Sequence, residues 1–148
     1  MRLDVLRQEI SRDEGDRHDP YCDVCGKTCA NGHLCPGGSV TIGVGHNLSR
    51  NPISQRVCDL LFEGDLREAI EGAERVVPGF QGLTDRRQEA FVNMVYQMGA
   101  SGVANFKKAM ARVREEDWEG ARREILDSEY GRKHPRRAQR VAQVVFEG

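Results

Sequence analysis

The sequence predicts an α+β fold: a small β-hairpin lobe joined by one long helix to an all-helical lobe, with a cleft between them. Three patterns carry that expectation. A stretch rich in Gly, Cys, Asp, Asn and Pro runs from Asp16 to Arg50 with one strand-like segment inside it, a long helical periodicity leaves that stretch, and shorter helical periodicities follow. The chain reads as a single domain, with a small lobe over about 15–52, a cysteine-rich insertion at 22–35, a connecting helix over about 53–77, and a helical lobe over about 78–148 completed by helix 1–12. At 148 residues such a domain buries roughly two thirds of the surface of its unfolded chain.

Leu3, Leu6 and Ile10 recur at spacings of three and four, which predicts a short amphipathic helix ending near Arg12, with Gly15 as the stop. Within the loop-rich stretch, Ser39 to His46 is the strand-like run. Ile53, Val57, Leu60, Leu61, Ile70, Ala73 and Val77 hold helical spacing until Pro78-Gly79, so a strut-like helix is expected there, with Cys58 as a buried, inert thiol on its apolar face. Thr84 is a plausible N-cap for a helix whose run from Ala90 to Met98 is apolar almost all round, the expected axis of a bundle. Phe106, Met110 and Val113, then Trp118, Ala121 and Ile125, then Ala138, Val141 and Val145 mark three further helices around it.

Composition excludes several classes. Hydrophobic residues at 39% and charged residues at 30% describe a soluble globular chain. The 22 basic and 23 acidic side chains leave a net charge of −1, so no global field draws the protein to nucleic acid or anionic lipid. The first ten residues carry Arg2, Asp4, Arg7 and Glu9 and so lack the apolar core of a signal peptide, and no run of about 18 apolar residues could span a membrane. A cytoplasmic location is the expectation.

Glycosidic hydrolysis normally takes two carboxyl groups, one protonated to release the leaving oxygen and one ionised to activate water or stabilise the cation. Carboxyls are too common here for type alone to select any. Arrangement selects: Asp13-Glu14-Gly15 ends the first helix, Asp23 follows nine residues after Glu14, and Thr41-Ile-Gly-Val-Gly-His46 ends the strand in the same lobe. Phe91 to Gly99 and Pro135-Arg-Arg-Ala-Gln-Arg140 add two ordered motifs further on. Together these resemble the phage-type lysozymes, glycoside hydrolase family 24, over most of the chain except the cysteine segment and the short stretch from Asn47 to Gln55.

The resemblance implies a lysozyme-like fold and an endolysin that cuts the β-1,4 bond between N-acetylmuramic acid and N-acetylglucosamine in peptidoglycan. It places the general acid on Glu14, the second carboxylate on Asp23 and a water-positioning threonine on Thr41, in an inverting mechanism. Asp19 is a nearby substitute for Asp23, and Thr41 also suits a strand simply as a β-branched residue. A structural ion pair is implied between His46 and Asp65, and Arg137 aligns with an arginine that faces the catalytic glutamate. Gln97 and Tyr130 fall where the family contacts sugar, although core or rim filling would use the same residue types. The family pattern further implies a monomer with no catalytic cofactor, held in the host cytoplasm until a separate holin-type pore admits it to the cell wall, with no stable membrane insertion of its own.

Four of the five cysteines form Cys22-x2-Cys25-x3-Cys29-x5-Cys35, where the family has only a short turn. Four thiolates this close could wrap one structural zinc, with His33 or His18 able to replace a ligand, or they could form two disulfides. A rival reading is a zinc-knuckle binding module that uses Arg132, Lys133, Arg136, Arg137 and Arg140 on nucleic acid, but no aromatic residues are interleaved with that basic run for stacking on bases. A glycan-binding fold without activity is a third.

Overall fold

The computed structural model of the chain describes residues 3–29 and 32–148. Backbone proximity divides the chain into two compact units, Met1–Cys58 and Asp59–Gly148.

The first unit opens with helix α1, Leu3–Glu14. It runs two residues beyond the expected end, so Glu14 lies in its last turn, and Gly15 stops it with a left-handed φ of 74° that a side chain would resist. Three short antiparallel strands follow in the order β1 (Arg17–Cys22), β2 (Val40–Gly43), β3 (His46–Asn47). β1 was not expected as a strand, because Pro20 lowers strand propensity; as an edge strand it needs no donor at that position. Thr41 thus sits on the central strand, opposite Tyr21 on one side and Asn47 on the other. β2 and β3 are joined across Gly43, Val44 and Gly45, both glycines at positive φ, which is why the expected single run to His46 is broken by a turn.

Helix α2, Gln55–Val76, carries the chain from one unit into the other. Its apolar stripe is buried only toward the C-terminal end, at Ala69, Gly72 and Ala73; Leu60 and Leu61 remain 59% and 56% exposed. Cys58 is half-buried, not the fully buried thiol expected, since its neighbours on the helix are themselves uncovered.

The second unit continues through a 3₁₀ turn at Phe80–Gly82 into α3 (Asp85–Ala104), α4 (Lys107–Arg114), α5 (Trp118–Leu126), α6 (Glu129–Lys133) and α7 (Pro135–Glu147). Thr84 caps α3 as expected, its hydroxyl accepting the Arg87 N–H. Four helices follow α3 where periodicity indicates three, because the one-turn α6 is too short to show a repeat. Its start is set by Ser128, whose hydroxyl accepts the Gly131 N–H at 3.1 Å. α3 is not apolar all round: Phe91, Met94 and Val95 are buried while Asn93 and Tyr96 face outward, and Gly99 interrupts the helix at φ 73°, ψ 163°. Phe91, Met94, Val103, Ile125 and Val145 are fully buried and form the centre of the core, each contributing about 1.5–3 kcal/mol by leaving water. α2 and α3 meet through small residues, for a β-carbon on Gly72 would lie 2.9 Å from Val95 Cγ1 and 3.3 Å from the Ala100 β-carbon.

Arg87 ties the unit together from inside α3. Its Nε donates to the Val145 carbonyl at 3.0 Å and Nη2 to the Phe146 carbonyl at 3.3 Å, while the guanidinium lies 3.8 Å over the Trp118 ring. Two carbonyls in the last turn of α7, which no intrahelical N–H can serve, are thereby satisfied by a charged donor.

Candidate active site

In the first unit, Glu14, Thr41 and Asp23 each lie on or against the sheet. Glu14 hangs from the last turn of α1, and its carboxyl packs on the turn between β2 and β3: a β-carbon on Gly45 would be 3.0 Å from Glu14 Oε2 and 3.3 Å from Cδ. Gly45, at φ 71°, therefore serves both the turn and the seat of the carboxyl. In the sequence the one signal for this role is the Gly43, Gly45 spacing next to Thr41.

Thr41 is only 4% exposed, and its Oγ1 is a buried hydroxyl without a hydrogen-bond partner among the described residues. Central strands bury their side chains, but a hydroxyl left unpaired there costs about 1–3 kcal/mol unless something from outside the chain completes it. Asp23 follows β1 directly. Its Oδ1 accepts the Ser39 N–H at 2.6 Å, and its own N–H donates to the Ser39 carbonyl at 3.1 Å, so the carboxyl is pinned beside the start of β2. Asp19, the alternative, is exposed on β1. His46 opens β3 and its Nε2 lies 3.2 Å from the Asn51 carbonyl, a local tie within the hairpin.

The cysteine segment brings together Cys22, Cys25 and Cys35, whose sulfurs all lie within 4.8 Å of one another, and this group could hold a metal ion. Cys29 and His33 are not among these three. The Cys29 backbone is committed elsewhere, with N donating to the Pro20 carbonyl at 2.7 Å and O accepting from Gly32 N at 3.1 Å. All five thiols are free. The backbone N–H groups of Cys35 and Cys25 point at the Cys22 sulfur and bring its pKa down to about 7, whereas Cys35, donating to the Cys25 and Cys22 sulfurs, is held up at about 11. His18 lies away on β1, 4.0 Å from Asp16.

In the second unit, Gln97 and Arg137 line one shallow groove of about 310 Å³ together with Asn93 and Arg140. Tyr130 is nearly buried and belongs to the core, yet its hydroxyl reaches Gln97 Oε1 at 3.0 Å, and Gln97 in turn donates to Asn93 Oδ1. Burial pushes the Tyr130 pKa up, with Arg137 and Arg140 acting against it. Tyr130 thus packs behind Gln97, as the core-filling alternative has it, while also lining a groove with Phe106 and His134. Asp65 lines a separate groove with Glu68, Arg75 and Tyr96.

The family described as phage lysozyme matches residues 12–140. Two proteins of Dictyostelium discoideum, named "Probable T4-type lysozyme 2" and "Probable T4-type lysozyme 1", are 31% and 29% identical, each over 97% of this chain and 94% of their own length. The pre-baseplate central spike protein of Enterobacteria phage T4 is 31% identical over 97% of this chain, a match that covers 28% of that longer protein. With a mostly helical α+β fold and a three-stranded antiparallel sheet in the expected place, the chain belongs to the phage lysozyme family and is a glycoside hydrolase, a lysozyme.

Proposed function

We propose that the protein is an endolysin-type muramidase that hydrolyses the β-1,4 bond between N-acetylmuramic acid and N-acetylglucosamine of peptidoglycan, with Glu14 as general acid. Asp23 is the second carboxylate, and the Thr41 hydroxyl holds the attacking water for an inverting displacement. The observation that carries the reading is the buried, unpartnered Thr41 hydroxyl on the strand whose following turn seats the Glu14 carboxyl. A hydroxyl kept dry and unpaired is suited to accept or donate to a molecule that arrives with substrate. Glu14 delivers its proton to the leaving oxygen, and Asp23, whose Oδ1 is held by the Ser39 N–H, orients or deprotonates the water. On the second unit, Gln97 and Arg137 line a groove whose amide and guanidinium donors suit sugar hydroxyls.

The reaction asks for no cofactor, and a metal in the cysteine segment serves structure only. The basic run of the second unit is partly spent internally, Lys133 on Glu129 at 2.6 Å and Arg132 on the Asp127 carbonyl at 2.7 Å, which favours a glycan partner over nucleic acid. Among the described residues no helix is long and apolar enough to cross a membrane, which suits a monomeric enzyme released from the host cytoplasm to the wall through a separate holin-type pore. Clearing of cell-wall suspensions by wild type and by Glu14→Gln tests the assignment: loss of clearing in a folded variant supports it, and wild-type clearing overturns it. New reducing ends identify hydrolysis; anhydro-sugar ends would overturn the water-dependent mechanism in favour of transglycosylation.

A further inference from the structure

We propose that the hairpin insertion is a structural zinc site with ligands Cys22, Cys25, His33 and Cys35, and that Cys29 is not a ligand. The proposal stands apart from the glycosidase reading, and either can fail without the other. The three sulfurs form one group within 4.8 Å that includes neither Cys29 nor His33, but His33 Nε2 already lies 3.2 Å from Cys25 Sγ and 3.9 Å from Cys35 Sγ and has only to swing toward Cys22 to complete the set. Tetrahedral zinc with bonds of about 2.3 Å to sulfur and 2.0–2.1 Å to nitrogen separates sulfur from nitrogen by about 3.5 Å and sulfur from sulfur by about 3.8 Å. The distances from His33 to Cys25 and Cys35 bracket the first of these values, and the sulfur group is compatible with the second.

The backbone is shaped for the same task. Cys22 and Cys35 each begin a tight turn closed on a glycine, Gly26 N to the Cys22 carbonyl at 2.8 Å and Gly38 N to the Cys35 carbonyl at 2.9 Å. The two turns lie against each other so closely that a β-carbon on Gly38 would be 2.7 Å from Cys22 Sγ. Disulfides fit this arrangement poorly. Three clustered sulfurs leave one without a partner, and Cys29, which a second disulfide would require, lies outside the cluster.

The segment also needs a fastener. Its apolar side chains Val24 and Leu34 are 62% and 45% exposed, so no hydrophobic core holds it. Three thiolates and one imidazole in tetrahedral array select zinc over harder cations. Bound there, the ion would fix Cys22, the last residue of β1 and partner of Val40, and with it the adjoining Asp23.

Elemental analysis and thiol titration of the folded full-length protein, prepared with zinc, test the proposal without any substitution. One zinc per chain is expected with two thiols open to reagent, Cys29 and Cys58, since three of the five cysteines would be ligands; a chelator should release the zinc and expose all five. No bound zinc, or only Cys58 open to reagent, would overturn it. Among variants, Cys29→Ser should keep zinc with little change in affinity, while His33→Ala should weaken it by at least about 100-fold, the share of one ligand in four. Far-UV circular dichroism of the helices checks that each variant has folded. The reverse pattern, Cys29→Ser losing zinc and His33→Ala keeping it, would show an all-cysteine site and sink the assignment.

Discussion

Replacing Thr41 by valine separates a catalytic hydroxyl from a strand residue, because the two roles predict different pairs of outcomes. The side chain is 4% exposed and its Oγ1 has no partner among the described residues, so the folded protein carries a desolvation cost of about 1–3 kcal/mol for that oxygen. Valine keeps the β-branched shape and removes the oxygen, and should therefore stabilise the sheet by about 1–2 kcal/mol. Slower hydrogen exchange of the β2 amides would register this locally. A rise in melting temperature of roughly 2–4 °C per kcal/mol would register it globally if the chain melts in one step. Activity should move the other way. Loss of one hydrogen bond worth about 1.4–3 kcal/mol in the transition state lowers kcat by roughly tenfold to 150-fold with little change in KM. Thr41→Ser is the control: it retains the hydroxyl, costs about 1 kcal/mol for the lost methyl, and should keep most of the turnover. A valine variant that clears cell walls at the wild-type rate would refute the water-positioning role, and one that is less stable than wild type would refute the unpaired hydroxyl itself.

Gly45→Ala should lower activity more than stability, since the new methyl would stand 3.0 Å from Glu14 Oε2 and must displace the carboxyl, at a backbone cost of about 1 kcal/mol for φ 71°; turnover and melting measured on the same sample decide it. Gly131→Ala should destabilise the second unit by at least about 2 kcal/mol, because its β-carbon would fall 2.0 Å from the Leu126 carbonyl oxygen, and denaturant midpoints report the loss. Arg87→Met should cost about 1–3 kcal/mol by leaving the Val145 and Phe146 carbonyls short of a charged donor, again read from the denaturant midpoint. Tyr130 titrates above its ordinary value because it is buried, so its contribution is intact below pH about 10 and fades as pH climbs past the unfolded tyrosine toward the folded one. Tyr130→Phe should flatten that alkaline decline in a melting series while costing about 0.5–1.5 kcal/mol near neutrality for the lost bond to Gln97.

The helices were largely legible, because burying one face imposes a repeat of 3.6 on apolar residues, as at Ala90, Phe91, Met94 and Val95. The same repeat does not say whether anything covers the face, and Leu60 and Leu61 show the gap. β1 was hidden by Pro20, and α6 by its brevity. Within the candidate site, Glu14, Asp23 and Thr41 are singled out in the sequence by resemblance to the family, while the parts that Gly45 and Ser39 play at the turn and at the Asp23 carboxyl carry no signature in side-chain type. The choice between Cys29 and His33 depends on which way the loop turns at Gly26 and Gly38, a matter of trajectory that spacing alone does not fix. Arg87 looks like any surface arginine until the far end of α7 is seen beside it.

That last contact links positions 58 and 59 residues apart. During synthesis α3 emerges well before α7, so the buried row of α3 must wait, uncovered on the side where α7 packs, until Val145 and Phe146 have left the ribosome and found the guanidinium. A chain cut short within α7 would present an open flank to proteases and to its neighbours, which makes the final helix turn of this unit a latch on survival in the cell as much as a piece of packing.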